Sequence, residues 1–169
     1  MESEITKSLN LYYKENRIKA YAYRFPQSGL KRQKGVSNQP CDILSDSENK
    51  KFYLAIEAKS IDLSKGKQNL NFKSRFTCTN GIHQIEHESF FCDITGRTGI
   101  LAVELRYGPG KPKECYFVPM SLVYSKFKEG EKSLKLNEIR SSFKINRIGG
   151  KYNILKNIFK EDPTHETPR

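Results

Sequence analysis

The chain has 169 residues, few cysteines and nowhere a long apolar run. Its four cysteines, Cys41, Cys78, Cys92 and Cys115, are widely spaced and form no CxxC pair. That pattern speaks against a disulfide framework or a zinc ribbon and for reduced thiols in a cytoplasmic protein. No segment is apolar for the length a bilayer span requires, and the opening "MESEITKSLN" is too polar for a signal peptide, so no membrane role is expected. Internal repeats are absent too, which removes solenoid and propeller architectures.

Acidic residues are also short. Nineteen Asp and Glu stand against thirty Lys and Arg, for a formal net charge of +11 and a pI near 9.5. Such an excess favours polyanionic partners, nucleic acid before anionic membrane, although a basic surface can also be merely solvated. The length suits one domain with a real core.

Apolar spacing predicts a first helix over about Glu4 to Glu15, with Ser3 as its N-cap and Ile5, Leu9, Tyr12 and Tyr13 as its stripe. "IKAYAYRF" alternates as a strand, and "PQSGLKRQKGVSNQP" reads as a basic loop or short hairpin. "CDILS" and "FYLAIEAK" read as strands joined by the "DSENKK" turn, and an irregular lysine-rich segment runs to about Asn80. "IHQIEHESFFCDI" has helical spacing. "TGILAVELRYG" and "KECYFVPM" read as strands, and "SLVYSKF" as a helix capped by Ser121.

Residues 126–160 contribute seven of the eleven net charges. They are expected to form a basic extension with at least one docked helix, after a core of residues 1–125 and before a frayed tail, 161–169. This order describes an α/β fold, a central mixed sheet flanked by helices.

One strand carries chemistry. In "FYLAIEAKSIDLS" the period of two places Glu57 and Lys59 on the same face. A surface ion pair is the bland explanation. Antiparallel pairing through the preceding turn, however, can bring Asp42 beside Glu57. Two converging carboxylates make a site for a hard cation such as Mg²⁺, which binds through one or two carboxylates and keeps several waters. The Ala58 carbonyl can add a third protein oxygen, and Lys59 can orient or help deprotonate a nucleophile. Metal-activated water attacking a phosphodiester is the reaction implied.

Asp42, Glu57, Ala58 and Lys59, with Pro40 before the aspartate, resemble the PD-(D/E)xK nuclease signature. "GIHQIEHESFF" is similar to the helix after the active-site strand of RecU-type Holliday junction resolvases. "EITKSLNLYYKENRIKAYAYRFP" is similar to that family's first helix and strand, through Glu4, Asn10, Tyr12 and Tyr13. The resemblance implies a restriction-endonuclease-like fold and a homodimer cutting four-way DNA junctions with Mg²⁺, for which Mn²⁺ can substitute. By the same resemblance Asp42, Glu57, Lys59 and Gln84 are catalytic, and Glu4 is a further carboxylate reaching the metal through water.

The chain departs from the pattern at Cys41, where a small hydroxyl residue usually stands. The stalk is shortened to about "SGLKRQKGVSN", which bears on junction specificity, and nothing after residue 126 has a counterpart. DNA contacts are expected from Lys31, Arg32 and Lys34 and from Lys65, Lys67, Lys73 and Arg75, each segment being otherwise a solvated loop. His83 and His87, at the spacing of a zinc-hydrolase helix, enclose Gln84 where that chemistry needs a base. A related nuclease of DNA processing, or a DNA-binding module without activity, remain the alternatives.

Overall fold

A computed structural model describes residues 1–25, 39–149 and 151–153. Helix α1 (Glu2–Glu15) buries Ile5, Leu9 and Tyr13 along one stripe, with Glu2 and Glu4 in its first turn and Lys14 in its last, the signs the helix dipole favours. Its N-cap position is Met1, not the expected Ser3. The strand β1 (Ala20–Arg24) returns beside it, and the Asn10 amide clamps Ala22 by donating to its carbonyl and accepting from its amide, both at 2.8 Å.

β2 (Ile43–Ser47) and β3 (Leu54–Asp62) form the expected hairpin. The lysine-rich segment is more ordered than its composition suggests, holding β4 (Asn69–Asn71), the single turn α2 (Phe72–Arg75), β5 (Cys78–Thr79) and β6 (Ile82–His83). Helix α3 (Gln84–Thr95) leads to β7 (Thr98–Arg106) and β8 (Glu114–Pro119). Helix α4 (Met120–Lys128) begins one residue before the expected cap Ser121, with Pro119 at the N-cap position. β9 (Ser133–Lys135), α5 (Leu136–Arg140), β10 (Phe143–Ile148) and β11 (Lys151–Asn153) follow.

The main sheet runs β1-β2-β3-β7-β8-β10-β11. It is mixed: β3 and β7 are parallel from Leu54 opposite Thr98 to Asp62 opposite Arg106, and its other pairs are antiparallel. Alternation along these strands builds two cores. On one face Leu54, Ile56, Ile100, Ala102 and Phe117 pack against α1. On the other, Ile61, Leu101, Val103, Leu105 and Val118 pack against Ile85 of α3 and Met120 and Val123 of α4. The protein is thus an α/β fold with helices on both faces of a central mixed sheet.

Two expectations are corrected. β3 does not end at Lys59 but continues to Asp62, because β7 pairs with it along its whole length. The boundary at residue 125 has no counterpart in the sheet: β10 pairs with β8 and carries β11, so residues 143–153 complete the sheet as strands. The docked helix expected after residue 126 is α5, which buries Ile139; in "KYNILKNIF" Lys151–Asn153 form β11, and the rest of that stretch lies outside the described residues.

The last strands are tied down by a buried charge. Glu104, fully buried on β7, accepts from the Tyr152 hydroxyl at 2.7 Å and the Arg106 Nε at 2.6 Å. Burial works to raise its carboxyl, but those two donors hold it below the usual range.

Candidate active site

The site forms where two strands part. β2 pairs with β3 only as far as Ile43 opposite Ile56, whereas β7 continues along the other side. At the parting point the Asp42 amide donates to the Ile56 carbonyl at 3.1 Å. Its carboxylate then accepts from the Ala58 amide at 2.9 Å, replacing the strand partner that residue has lost. The N–H and C=O of one strand residue point to the same side. The Ala58 carbonyl therefore opens toward Asp42 as well.

Glu57 and Lys59 lie in register with Leu101 and Val103, on the sheet face covered by α3 and α4. Glu57 is 3 % exposed, and the Lys59 ammonium is ion-paired to its Oε1. That ammonium also lies over the Phe76 ring, 5.0 Å from its centroid, which restricts where it can move.

Gln84, the first residue of α3, reaches the same carboxylate. Its Nε2 donates to Glu57 Oε1 at 2.9 Å and to Glu88 Oε1 at 2.6 Å. The amide's orientation is set from behind, since its Oε1 accepts from the Thr77 amide at 3.1 Å and its own backbone amide donates to the Thr77 carbonyl at 2.8 Å.

The electrostatics follow from crowding. Burial, then the neighbouring Glu57 charge, push Asp42 up to about 6; the Ala58 amide and Lys59 pull the other way, and Glu2 adds to the rise. Glu88, 2 % exposed, is raised well above the carboxylate range by burial and by Glu57. Its Oε2 receives no hydrogen bond, whereas as a protonated acid it can donate to Glu57. Three acids thus crowd around one lysine. No group of three or more His, Cys, Asp or Glu side chains among the described residues is arranged to hold a metal ion. Two carboxylates and a backbone carbonyl are the oxygens that a cation would find here, a donor set of the kind Mg²⁺ takes with its retained waters.

The structure thus brings Asp42, Glu57, Ala58, Lys59 and Gln84 together and separates Glu4 from them. Glu4 accepts from Arg147 on β10 at 2.8 Å. The α1 carboxylate whose charge reaches Asp42 is Glu2, itself paired with Arg24 at 2.5 Å. Two residues on a helix differ by about 200°, so both acids cannot face one site. Glu2 and Glu88 are the residues the sequence reading missed. Signals for both were present: Glu2 is three before Ile5 on the buried stripe, and Glu88 is four after Gln84.

Of the expected DNA contacts, Lys31, Arg32 and Lys34 lie outside the described residues. Lys65, Lys67 and Lys73 are exposed, Lys65 standing 3.6 Å from Asp62. Arg75 is half-buried, and its guanidinium donates to the Ser60 carbonyl on β3. The histidine helix is also accounted for. His83 caps α3 by accepting from the Ile85 amide and stacks on Phe127 at 4.4 Å, and burial lowers its imidazole.

A hollow of about 600 Å³ lies elsewhere, lined by Tyr21, Asp46 and Tyr53 near the β1 edge. No helix among the described residues is long and apolar enough to cross a membrane.

No protein-family model matches the chain, and no curated protein matches it. Among solved structures, that of Hjc from Archaeoglobus fulgidus, a Holliday junction resolvase of an archaeal hyperthermophile, is similar with 19 % sequence identity and a TM-score of 0.45. The match covers 83 % of this chain and 93 % of that one.

Proposed function

We propose that this chain is a Mg²⁺-dependent DNA endonuclease that acts as a homodimer on four-way junctions. The observation that carries the reading is the convergence of the Asp42 and Glu57 carboxylates at the parting of β2 and β3, with Lys59 and Gln84 bound to Glu57. The resemblance of "HQIEH" and of the first helix and strand to RecU-type resolvases supports junctions as the substrate.

In this reading Asp42, Glu57 and the Ala58 carbonyl would hold Mg²⁺, or Mn²⁺ in its place. The bound cation supplies Lewis acidity, activating water and offsetting charge on the phosphate. Lys59 is confined between Glu57 and the Phe76 ring, so its ammonium is held where it can orient a nucleophile and stabilise charge on the scissile group. Gln84 fixes the rotamer of Glu57 through an amide whose own direction Thr77 dictates. The buried Glu88, by keeping its proton, leaves Glu57 as the acceptor of that network.

Resolution of a junction takes two symmetric nicks, and one centre makes one. A two-fold dimer presents the same centre twice, matching the pseudo-symmetry of the substrate. A cruciform plasmid tests this: paired cuts within one complex give linear product directly. Accumulation of open circles, with equal nicking of linear duplex, would leave a general nuclease and remove the junction reading.

A further inference from the structure

Two basic stretches that lie far apart in sequence form one ribbon. β4 and β9 pair with Asn69 opposite Lys135, Leu70 opposite Leu134 and Asn71 opposite Ser133. The ribbon is closed at both ends, Phe72 donating to the Lys132 carbonyl at 2.9 Å and Leu136 to the Gln68 carbonyl at 3.2 Å. Leu70 and Leu134 are fully buried, so the period of two turns Asn69, Asn71, Ser133 and Lys135 outward.

Acids are sparse along the two strands, with Glu131 beside Lys132 and Glu138 accepting from the Lys135 amide at 2.7 Å. No acid occurs between Asp62 and Glu86, or between Glu131 and Glu138. Asp62 is bonded to Ser64 and faces Lys65, and Glu138 is paired with Lys126 at 2.5 Å. Lys67, Lys73 and Lys132 are exposed and make no ion pair among the described residues. A merely solvated surface usually mixes its signs.

The ribbon is fastened to the reaction centre. Phe72 contacts Phe76 and Phe127 edge to face, and Phe127 stacks on His83. Phe76 in turn lies beneath Lys59, and Arg75 holds the carbonyl of the next residue, Ser60. Because Phe72 and Phe76 are buried in this pile, the ribbon offers no ring on which an unpaired base can stack.

We propose that the β4–β9 ribbon is a phosphate track that grips the backbone of a DNA duplex arm leading from the centre. Lys67, Lys73, Lys132 and Lys135 supply the charge, and Asn69 and Ser133 supply neutral donors. This rests on the nuclease reading above and adds to it the surface that holds the substrate.

The test is equilibrium binding of a duplex arm in EDTA, where no cutting occurs, over a salt series. Lys132→Ala/Lys135→Ala should weaken binding and reduce the slope of log K against log salt by about 1.8, at ~0.9 for each phosphate no longer neutralised. The control Lys7→Ala/Lys14→Ala removes equal charge from α1, on the opposite face of the sheet, and should leave the slope unchanged. An unchanged slope for the ribbon pair, or equal losses for both pairs, overturns the track. If wild-type protein nonetheless binds and cuts DNA, only the track falls; if it does neither, the nuclease reading falls with it.

Discussion

Asp42→Asn should make the protein more stable while abolishing its activity. The carboxyl, ordinarily near 3.8, is pushed up to about 6 in the fold, first by burial and then by the Glu57 charge. The folded state therefore holds a proton that the unfolded chain releases. Stability falls as pH rises through the window from about 4 to 6, and the loss is complete above it. Two units at ~1.4 kcal/mol each give about 3 kcal/mol, which solvent screening of this partly exposed group reduces to ~1–2 kcal/mol. Asparagine removes that cost and keeps an oxygen to accept from the Ala58 amide. In EDTA at pH 7.5 its melting temperature should exceed wild type's by about 2–8 °C, and the difference should vanish near pH 4. Mg²⁺ should then stabilise wild type and leave Asp42→Asn unmoved. A pH-independent difference, or a less stable variant at neutral pH, would refute the reasoning.

Other expectations follow from single contacts. Gln84→Ala frees Glu57 from the amide that orients it and should lower cutting or metal affinity by roughly 10–100-fold, read from single-turnover rates across a Mn²⁺ titration. Glu104→Ala leaves the buried Tyr152 hydroxyl without its acceptor, while the exposed Arg106 turns to solvent, and should cost ~1–3 kcal/mol in urea unfolding; an unchanged midpoint contradicts the buried hydrogen bond. Gly99→Ala would place a methyl 2.8 Å from both Cys92 Sγ and Met120 Cβ, and should cost ~1–3 kcal/mol by the same measurement. Ca²⁺, with its larger and looser shell, should support junction binding with little cutting, checked on one labelled junction.

The meeting of Asp42 with Glu57 was legible because a short turn between two alternating runs fixes a hairpin register. The length of β3 was not, since Ser60 and Asp62 are polar and stay in the strand only through β7 opposite them. The final strands were hidden for a similar reason. In β10 Lys144, Asn146 and Arg147 dilute the alternation, and Ile145 is its buried anchor. Glu4 and Glu2 could not be told apart by motif, because a pattern in sequence does not say which way a helix is turned. Arg75 donates to a carbonyl fifteen residues earlier, a partner that composition cannot reveal. Nothing in the helical spacing says that Glu88 is buried, and the structure puts it beside Glu57.

The most direct measurement is cleavage of an end-labelled four-way junction by wild-type and Lys59→Ala protein, each with Mg²⁺ and with EDTA. Wild type should cut only with Mg²⁺, and Lys59→Ala should bind the junction as well and leave it intact. Cutting that resists EDTA, or Lys59→Ala protein that cuts near the wild-type rate, would contradict a metal-dependent centre at Asp42, Glu57 and Lys59.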